Sequence, residues 1–295
     1  MVDLSIIIVS YNTCELTLQA IDSIIHSLEN SPEVSYEIIV VDNNSTDNSK
    51  KELKSYKLQV TSLSIIENQS NVGFGRANNI GLKQAKGDYV LFLNSDVIAD
   101  KLNFNELFEE FKKDPKIGVL TVKVVFQNGK LDPACHRGFP TLWRSFCYFS
   151  KLERITSRIP VLNMLFGGYH LIFRDLSKKH EIDSPSGAFY LVKLNILKQV
   201  DGFDEAFFMY GEDIDLSLRI KKLGHKIIYF PSQLVTHLKY QSGIKNEEAS
   251  LSSKTKQHFY EAMTIFYKKH YEKNYPTFIN WIVYSVISRL TARHV

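Results

Sequence analysis

Short apolar runs alternate with helical periodicity through the first hundred residues. Leu4–Val9 (LSIIIV), Glu37–Val41 (EIIVV) and Tyr89–Leu93 (YVLFL) are continuous runs rich in aliphatic and aromatic residues, with a weaker one at Leu63–Glu67. That is the pattern of strands covered on both faces. Between the first two runs, Leu16, Ala20, Ile21, Ile24 and Leu28 recur at helical spacing. Ser10-Tyr11-Asn12-Thr13 is a polar turn able to cap that helix, and Ser45 stands where it could cap a short helix after the second run. Strands joined by crossover helices predict an α/β fold with an open, doubly wound, mostly parallel sheet flanked by helices. Ligands of such sheets bind beyond the carboxyl ends of the strands. The polar clusters fall at those ends: Tyr11, Asp42, and Asn94 to Asp96.

The second half is less regular. A helix over Asn103–Lys113 precedes a strand at Val119–Val125, and residues 130–180 are aromatic-rich with few clear periodicities, as expected of an insertion or lid. Order returns with Ser186–Val192, a helix over Lys193–Val200, the dense run Gly202–Arg219 and the strand-like Ile227–Phe230 before Pro231. From Lys254 onward the chain reads as helical. There is no repeat at solenoid or propeller period.

Composition narrows the class without choosing within it. The 295 residues are 44% hydrophobic and 23% charged, with a formal net charge of +4. These values suit a globular enzyme, and the charge is too small to argue for nucleic acid while remaining compatible with anionic small molecules or an anionic membrane surface. Cys14, Cys135 and Cys147 are an odd number with no CxxC spacing, against a disulfide framework or a structural zinc. Met1-Val2-Asp3 leads straight into an apolar run without a basic segment or a small-residue cleavage site. A signal peptide is therefore not expected, and a cytoplasmic location is.

Five constellations carry candidate chemistry. Asn94-Ser95-Asp96 follows a strand, where a carboxylate can hold a divalent cation against two phosphates; an Asx-turn explains the triplet equally simply. Asp42-Asn43-Asn44-Ser45-Thr46-Asp47 offers Asp42 to a ribose or base edge, once capping has accounted for Ser45. Gly73-Phe74-Gly75-Arg76 opens a helix, so its glycines and guanidinium suit a phosphate, or the glycines serve packing alone. In Gly202–Arg219, Asp204, Glu205, Glu212, Asp213 and Asp215 bracket aromatic residues. Carboxyls against apolar walls gain basicity, although acids at a helix start also favour the dipole. His237 ends Val235-Thr236-His237 and becomes a cation ligand if Asp96 is one.

Together these segments resemble the family 2 glycosyltransferases with the GT-A fold, especially the bacterial rhamnosyltransferase-like branch. The matching pieces are IIIVSYN at 6–12, VVDNNSTD at 40–47, NVGFGRANN at 71–79, GDYVLFLNSD at 87–96, SGAFYLVK at 186–193, GFDEAFFMYGEDIDLSLRIKKLGH at 202–225 and VTH at 235–237. The resemblance implies an inverting reaction with a nucleotide-diphosphate sugar donor and a divalent cation, Mn²⁺ or Mg²⁺. On the donor side it assigns Ser10, Tyr11, Asn12, Asp42, Asn44, Gly73, Arg76, Asn94, Ser95 and Asp96. Asp96 and His237 would take the cation, with Asn94 standing where the family carries a first aspartate. Asp213 would be the general base with Glu212 beside it, and Gly187, Tyr210 and Glu212 would face the acceptor. The branch favours L-rhamnose from dTDP-rhamnose, delivered to a glycan or lipid-linked acceptor in bacterial cell-surface polysaccharide synthesis. Another hexose or N-acetylhexosamine from a UDP-sugar is the alternative.

Residues 1–240 form the GT-A domain in this reading, with a nucleotide half to about residue 100 and an acceptor half from 101; 241–295 form a helical C-terminal extension. The stretch PTFINWIVYSVISRLTARHV at 276–295 is too short in apolar residues to span a bilayer. It suits an interfacial helix at the inner face of the plasma membrane, a docked core helix or a homo-oligomer contact. A sugar nucleotidyltransferase would open with a Gly-rich basic loop where Ser10-Tyr11-Asn12-Thr13 stands, and a nicotinamide dehydrogenase would need a GxGxxG fingerprint. A non-catalytic nucleotide-sugar-binding protein would have no need of the acidic groups.

Overall fold

The computed structural model describes residues 2–238 and 249–294, so residues 241–248 of the expected C-terminal extension lie outside the described residues. Strands β1 (Leu4–Ser10), β2 (Tyr36–Asp42), β3 (Leu63–Glu67) and β4 (Tyr89–Asn94) alternate with helices α1 (Cys14–Glu29), α2 (Ser49–Lys57) and α3 (Phe74–Leu82). The short β5 (Val97–Ile98) leads to α4 (Phe104–Lys113) and the long β6 (Ile117–Phe126). An insertion then carries α5 (Leu142–Phe149), α6 (Leu152–Ile155) and α7 (Pro160–Phe166) before β7 (His180–Ile182). Next come β8 (Phe189–Lys193), α8 (Leu194–Val200), α9 (Glu212–Lys222) and β9 (Lys226–His237), and the C-terminal helices α10 (Ala249–His270) and α11 (Thr277–His294) close the chain.

Among the described residues the sheet has nine strands in the order β3-β2-β1-β4-β8-β6-β9-β5, with β7 beside β9. The nucleotide half is parallel, as its unbroken apolar strands require: β1 pairs with β2 and β4, and β2 with β3, all parallel. Ile6, Ile7 and Ile8 are wholly buried, so both faces of β1 are covered. The other half is mixed. β8 runs antiparallel to β4 and β6, while β6 and β9 are parallel to each other.

The strand-like Ile227–Phe230 belongs to a longer strand that runs on past Pro231 to His237. Val122 pairs with Phe230 and Lys123 with Leu234, so residues 231–233 bulge out of the ladder. A bulge is where a strand tolerates proline. Beyond it β9 continues to His237, which is in register with Val97 of β5. That continuation puts His237 beside the residue preceding Val97, Asp96.

One buried carboxylate ties the C-terminal helices to α9. Asp215 on α9 is fully buried and meets Arg219 Nε at 2.7 Å, Lys269 Nζ at 2.7 Å and His270 Nε2 at 2.6 Å. Burial opposes its charge, but these partners outweigh that and hold its pKa at about 2. Phe207, Ile214, Ala262 and Phe266 form a small apolar cluster at the same junction.

Candidate active site

The carboxyl ends of β1, β2 and β4 converge. Ser10 is in register with Asp42, and Asn94 lies beside Val9. Side chains tie the loops beyond them. Ser10 Oγ is 2.9 Å from Thr17 Oγ1, and the Thr13 hydroxyl donates to Ser95 Oγ at 3.2 Å. The Asn12 N–H donates to Ser45 Oγ at 2.9 Å, and Asn12 Oδ1 accepts from the Thr46 N–H at 2.7 Å. These bonds correct both capping expectations. Thr13 makes no side-chain cap on α1, and α2 starts at Ser49 with Asn48 at its cap position. Hydroxyls near a helix start bond to whichever backbone or side-chain group is nearest, and here the neighbouring loops compete successfully.

Asn12 and Asn44 take positive φ angles of 54° and 67°, which asparagine tolerates better than most residues. Asn44 Oδ1 accepts from Lys50 Nζ at 3.2 Å, and Tyr11 is half exposed at the rim. Asp42 is wholly buried; its Oδ2 accepts from the Ser45 N–H at 3.1 Å and its Oδ1 has no partner. The neighbouring Asn43, which no motif argument singled out, clamps the following loop. Its amide donates to Asn71 Oδ1 at 2.8 Å and accepts from Asn68 Nδ2 at 3.0 Å and the Val72 N–H at 3.1 Å.

That loop leads into Gly73, whose φ of +87° is open to glycine. A Cβ there would lie 2.5 Å from the Phe208 carbonyl oxygen, and the Phe74 N–H donates to that same oxygen at 2.8 Å. The glycine therefore lets α3 start directly against the loop before α9. Arg76 is mostly exposed, with Nε 3.4 Å from Glu205 Oε2.

Asp96 and His237 meet as the strand register requires, with His237 Nε2 3.2 Å from Asp96 Oδ1. The other ring nitrogen is 2.8 Å from Asp132 Oδ2. Asp132 was not legible as a site residue, yet it fixes which nitrogen faces Asp96, an arrangement typical of metal-binding histidines. Burial alone would lower the His237 pKa, but hydrogen bonds to Asp132 and Asp96 push it up to about 9. Among the described residues no three His, Cys, Asp or Glu side chains gather into a complete cage. Asp96 and His237 nonetheless fit a cation that takes its remaining ligands from phosphate and water, with His237 giving up its Nε2 proton as the cation binds.

The other side of the cleft is the start of α9. Gly211, at a φ of +78°, lets the chain turn from the aromatic loop into Glu212 and Asp213. Tyr210 precedes it at a φ of +68°, partly exposed. Asp213 Oδ2 accepts from Arg137 Nη2 at 2.7 Å, both groups nearly buried, and its Oδ1 accepts from the Ile214 N–H at 2.7 Å. Burial works against the Arg137 charge, but Asp213 more than restores it and raises the Arg137 pKa above its ordinary value. Glu212 is 6% exposed, and its Oε2 has no partner. Burial, and next the adjacent Asp213 charge, push its pKa up to about 8.

A raised carboxyl pKa makes the native state bind the extra proton between the unfolded and folded values. Glu212 therefore costs stability progressively as pH rises from about 4.5 to about 8, and the cost is constant above that. Glu212→Gln should flatten that part of the pH dependence, read as urea midpoints across the interval. A variant whose midpoints fall with pH as steeply as the wild type's would show that Glu212 does not hold the proton.

One segment joins the two sides. Pro185 O accepts from Arg137 Nη2 at 2.9 Å. Two residues on, a Cβ at Gly187 would lie 3.1 Å from the Phe74 ring and 3.8 Å from Asn94 Oδ1. Two residues of chain span at most about 7 Å, so the strand ends and the α9 carboxylates border one cleft. Buried polar atoms without partners collect along it: Asp42 Oδ1, Asn94 Oδ1, Ser186 Oγ, Arg137 Nε and Glu212 Oε2. Natively folded chains leave few such atoms, and a polar ligand is a common reason for them.

Beyond Asp213 the cleft deepens into a cavity of about 440 Å³ walled by α5, α10 and α11. Arg137, Glu212 and Asp213 form its polar end; Phe146, Phe259, Phe266, Ile282 and Val286 are among its apolar walls.

Residues 5–180 match the family model described as Glycosyl transferase family 2. The poly-beta-1,6-N-acetyl-D-glucosamine synthase of Staphylococcus epidermidis is 28% identical over 231 residues, which is 78% of this chain and 48% of that protein. Rhamnosyltransferase WbbL of Escherichia coli K12 is 30% identical over 175 residues, covering 56% of this chain and 60% of its own. The chain thus spans about half the length of the curated relatives it matches. Its fold is similar to that of GalNAc-T7 with UDP, GalNAc and Mn²⁺, at a TM-score of 0.60 over 84% of this chain and 45% of that one, with 16% identity.

Proposed function

This chain belongs to glycosyl transferase family 2, and from that premise we propose that it transfers a sugar, with inversion, from a nucleotide-diphosphate donor to a hydroxyl of a lipid-linked glycan. The observation that carries this reading is the cleft itself. The Asp96–His237 pair lies among the strand ends, and a buried carboxylate opposite Arg137 lies across Ser184–Gly187.

The donor's nucleoside would lie against the ends of β1 and β2, where Asp42 Oδ1 is the acceptor atom left for it. A divalent cation, Mn²⁺ or Mg²⁺, would be held by Asp96 and His237 and would neutralise charge on the departing diphosphate. Burial and the adjacent Asp213 hold the Glu212 pKa up, favouring its protonated form, while Arg137 Nη2 donates to Asp213 Oδ2. Asp213 would take the proton of the acceptor hydroxyl as that oxygen bonds to the anomeric carbon. The anomeric carbon–phosphate oxygen bond breaks in the same event, and the diphosphate leaves with the electron pair. No enzyme nucleophile is needed. The protonated Glu212 can donate a hydrogen bond to the acceptor, and the apolar cavity beyond it suits an acceptor with an apolar carrier close to its reacting sugar.

L-Rhamnose from dTDP-rhamnose is our first reading of the donor, supported by the likeness to a rhamnosyltransferase. The N-acetylglucosamine polymer synthase among the relatives favours a UDP-N-acetylhexosamine as the second. A donor screen following nucleoside-diphosphate release, with Mn²⁺, with Mg²⁺ and with chelator, tests both. The expected result is cation-dependent release from one donor class. Release from no donor under any cation would turn the reading to a binding protein.

A further inference from the structure

The insertion between β6 and β7 is built with polar residues inside and apolar residues outside. Glu153, Thr156 and Asn163 are buried and bonded to one another's segments: Asn163 Nδ2 donates to the Glu153 carbonyl at 3.2 Å and is 3.3 Å from Thr156 Oγ1. Glu153 Oε1 accepts from the His170 N–H at 2.9 Å. Trp143 Nε1 donates to the Leu165 carbonyl at 3.0 Å, which fixes α5 to α7. The side chains left facing outward include Ile155 at 71% exposure and Val161 at 77%, together with Phe146, Ile159, Met164 and Leu165. A water-facing surface of a monomer rarely gathers so many apolar groups without a use.

Two further observations say what covers it. Lys151, Arg154 and Arg158 are exposed in the same segment, and with Ile155 they share one shallow depression. The one acid among them, Glu153, is buried. Cations beside outward apolar side chains are the chemistry of an anionic lipid interface. The apolar surface also continues onto α11, because Phe146 of α5 and Ile282 and Val286 of α11 border the same cavity. Phe278 and Trp281 on α11 are about two-thirds exposed. No helix among the described residues is long and apolar enough to cross a membrane, so contact would be with the surface.

We propose that residues 142–166, with the outer face of α11, form a lipid-contact surface that seats the protein on an anionic bilayer. The side chains of Val161, Met164 and Leu165 on α7 enter the headgroup and acyl boundary, and Lys151, Arg154 and Arg158 meet the anionic headgroups. This role is independent of the donor reading, since a protein that transfers no sugar would bind lipid by the same surface.

The test is co-sedimentation of the full chain with phosphatidylcholine vesicles, with and without phosphatidylglycerol. Wild type should sediment with the anionic vesicles, and the Val161→Asp/Met164→Asp variant should bind them at least about tenfold more weakly. Arg154→Glu/Arg158→Glu should lose the preference for phosphatidylglycerol. All of these positions are exposed, and unfolding temperatures like the wild type's confirm the fold. Nucleoside-diphosphate release with a water-soluble acceptor should be unchanged, which separates loss of lipid binding from loss of transfer. Sedimentation unaffected by the α7 substitutions, or absent in the wild type, overturns the proposal. So does a dimer in vesicle-free solution that Val161→Asp/Met164→Asp dissociates, because the patch would then belong to a second copy of the chain.

Discussion

Asp213→Asn should lower turnover by roughly 10²–10⁴-fold while leaving donor affinity close to that of the wild type. The loss is that of a proton acceptor at the reacting hydroxyl. Donor affinity survives because the groups proposed to hold the nucleotide lie at the strand ends, across Ser184–Gly187. The substitution also removes the partner of a buried guanidinium. Breaking such a pair costs about 3–5 kcal/mol when the remaining charge stays uncompensated. Here the cost should be smaller, since Arg137 keeps its bond to Pro185 O and the neighbouring Glu212 is freed from the Asp213 charge that helps keep it protonated. Turnover, nucleotide affinity and thermal unfolding measured on the same preparation distinguish these effects. Near wild-type turnover would remove Asp213 from the base role.

Asp96→Ala should cost about 10²–10³-fold in turnover, the equivalent of several kcal/mol of charge stabilisation at the leaving diphosphate. Chelation should reproduce that loss in the wild type and add little to it in the variant. Direct binding of Mn²⁺, followed in the presence of nucleoside diphosphate, should weaken in parallel. If the variant retained wild-type Mn²⁺ affinity and a full response to chelator, the cation would have to be held elsewhere.

The parallel half of the fold was legible because burial on both faces writes itself into the chain as unbroken apolar runs. Leu63–Glu67 has the bounds expected, and the other three strands differ by a residue at one or both ends. Their polar ends then located one side of the cleft. Strand direction leaves no such mark: Phe189–Lys193 has the same apolar run whether it lies parallel or antiparallel to β4. β5 and β7 are too short to show a period. Arg137 and Asp132 escaped for another reason, since each lies in an aperiodic stretch. Their partners, Asp213 and His237, stand 76 and 105 residues away. Only the assembled fold brings them together. Ile227–Phe230 was legible as a strand, but its continuation to His237 was not, because it depends on a three-residue bulge at Pro231 that shows only against β6.

The segment from Ser184 to Gly187 leads at one end into Ala188, whose carbonyl accepts from the Asn94 N–H at 3.3 Å, and at the other reaches the Asp213 carboxylate through Arg137. Ser184 is wholly buried and exchanges backbone bonds with Arg137, so the segment has little room to absorb a displacement locally. A displacement at one end would therefore be transmitted to the other, and any change in affinity that followed would be reciprocal. In the proposed reaction, such a link would let acceptor binding bear on how the donor is held.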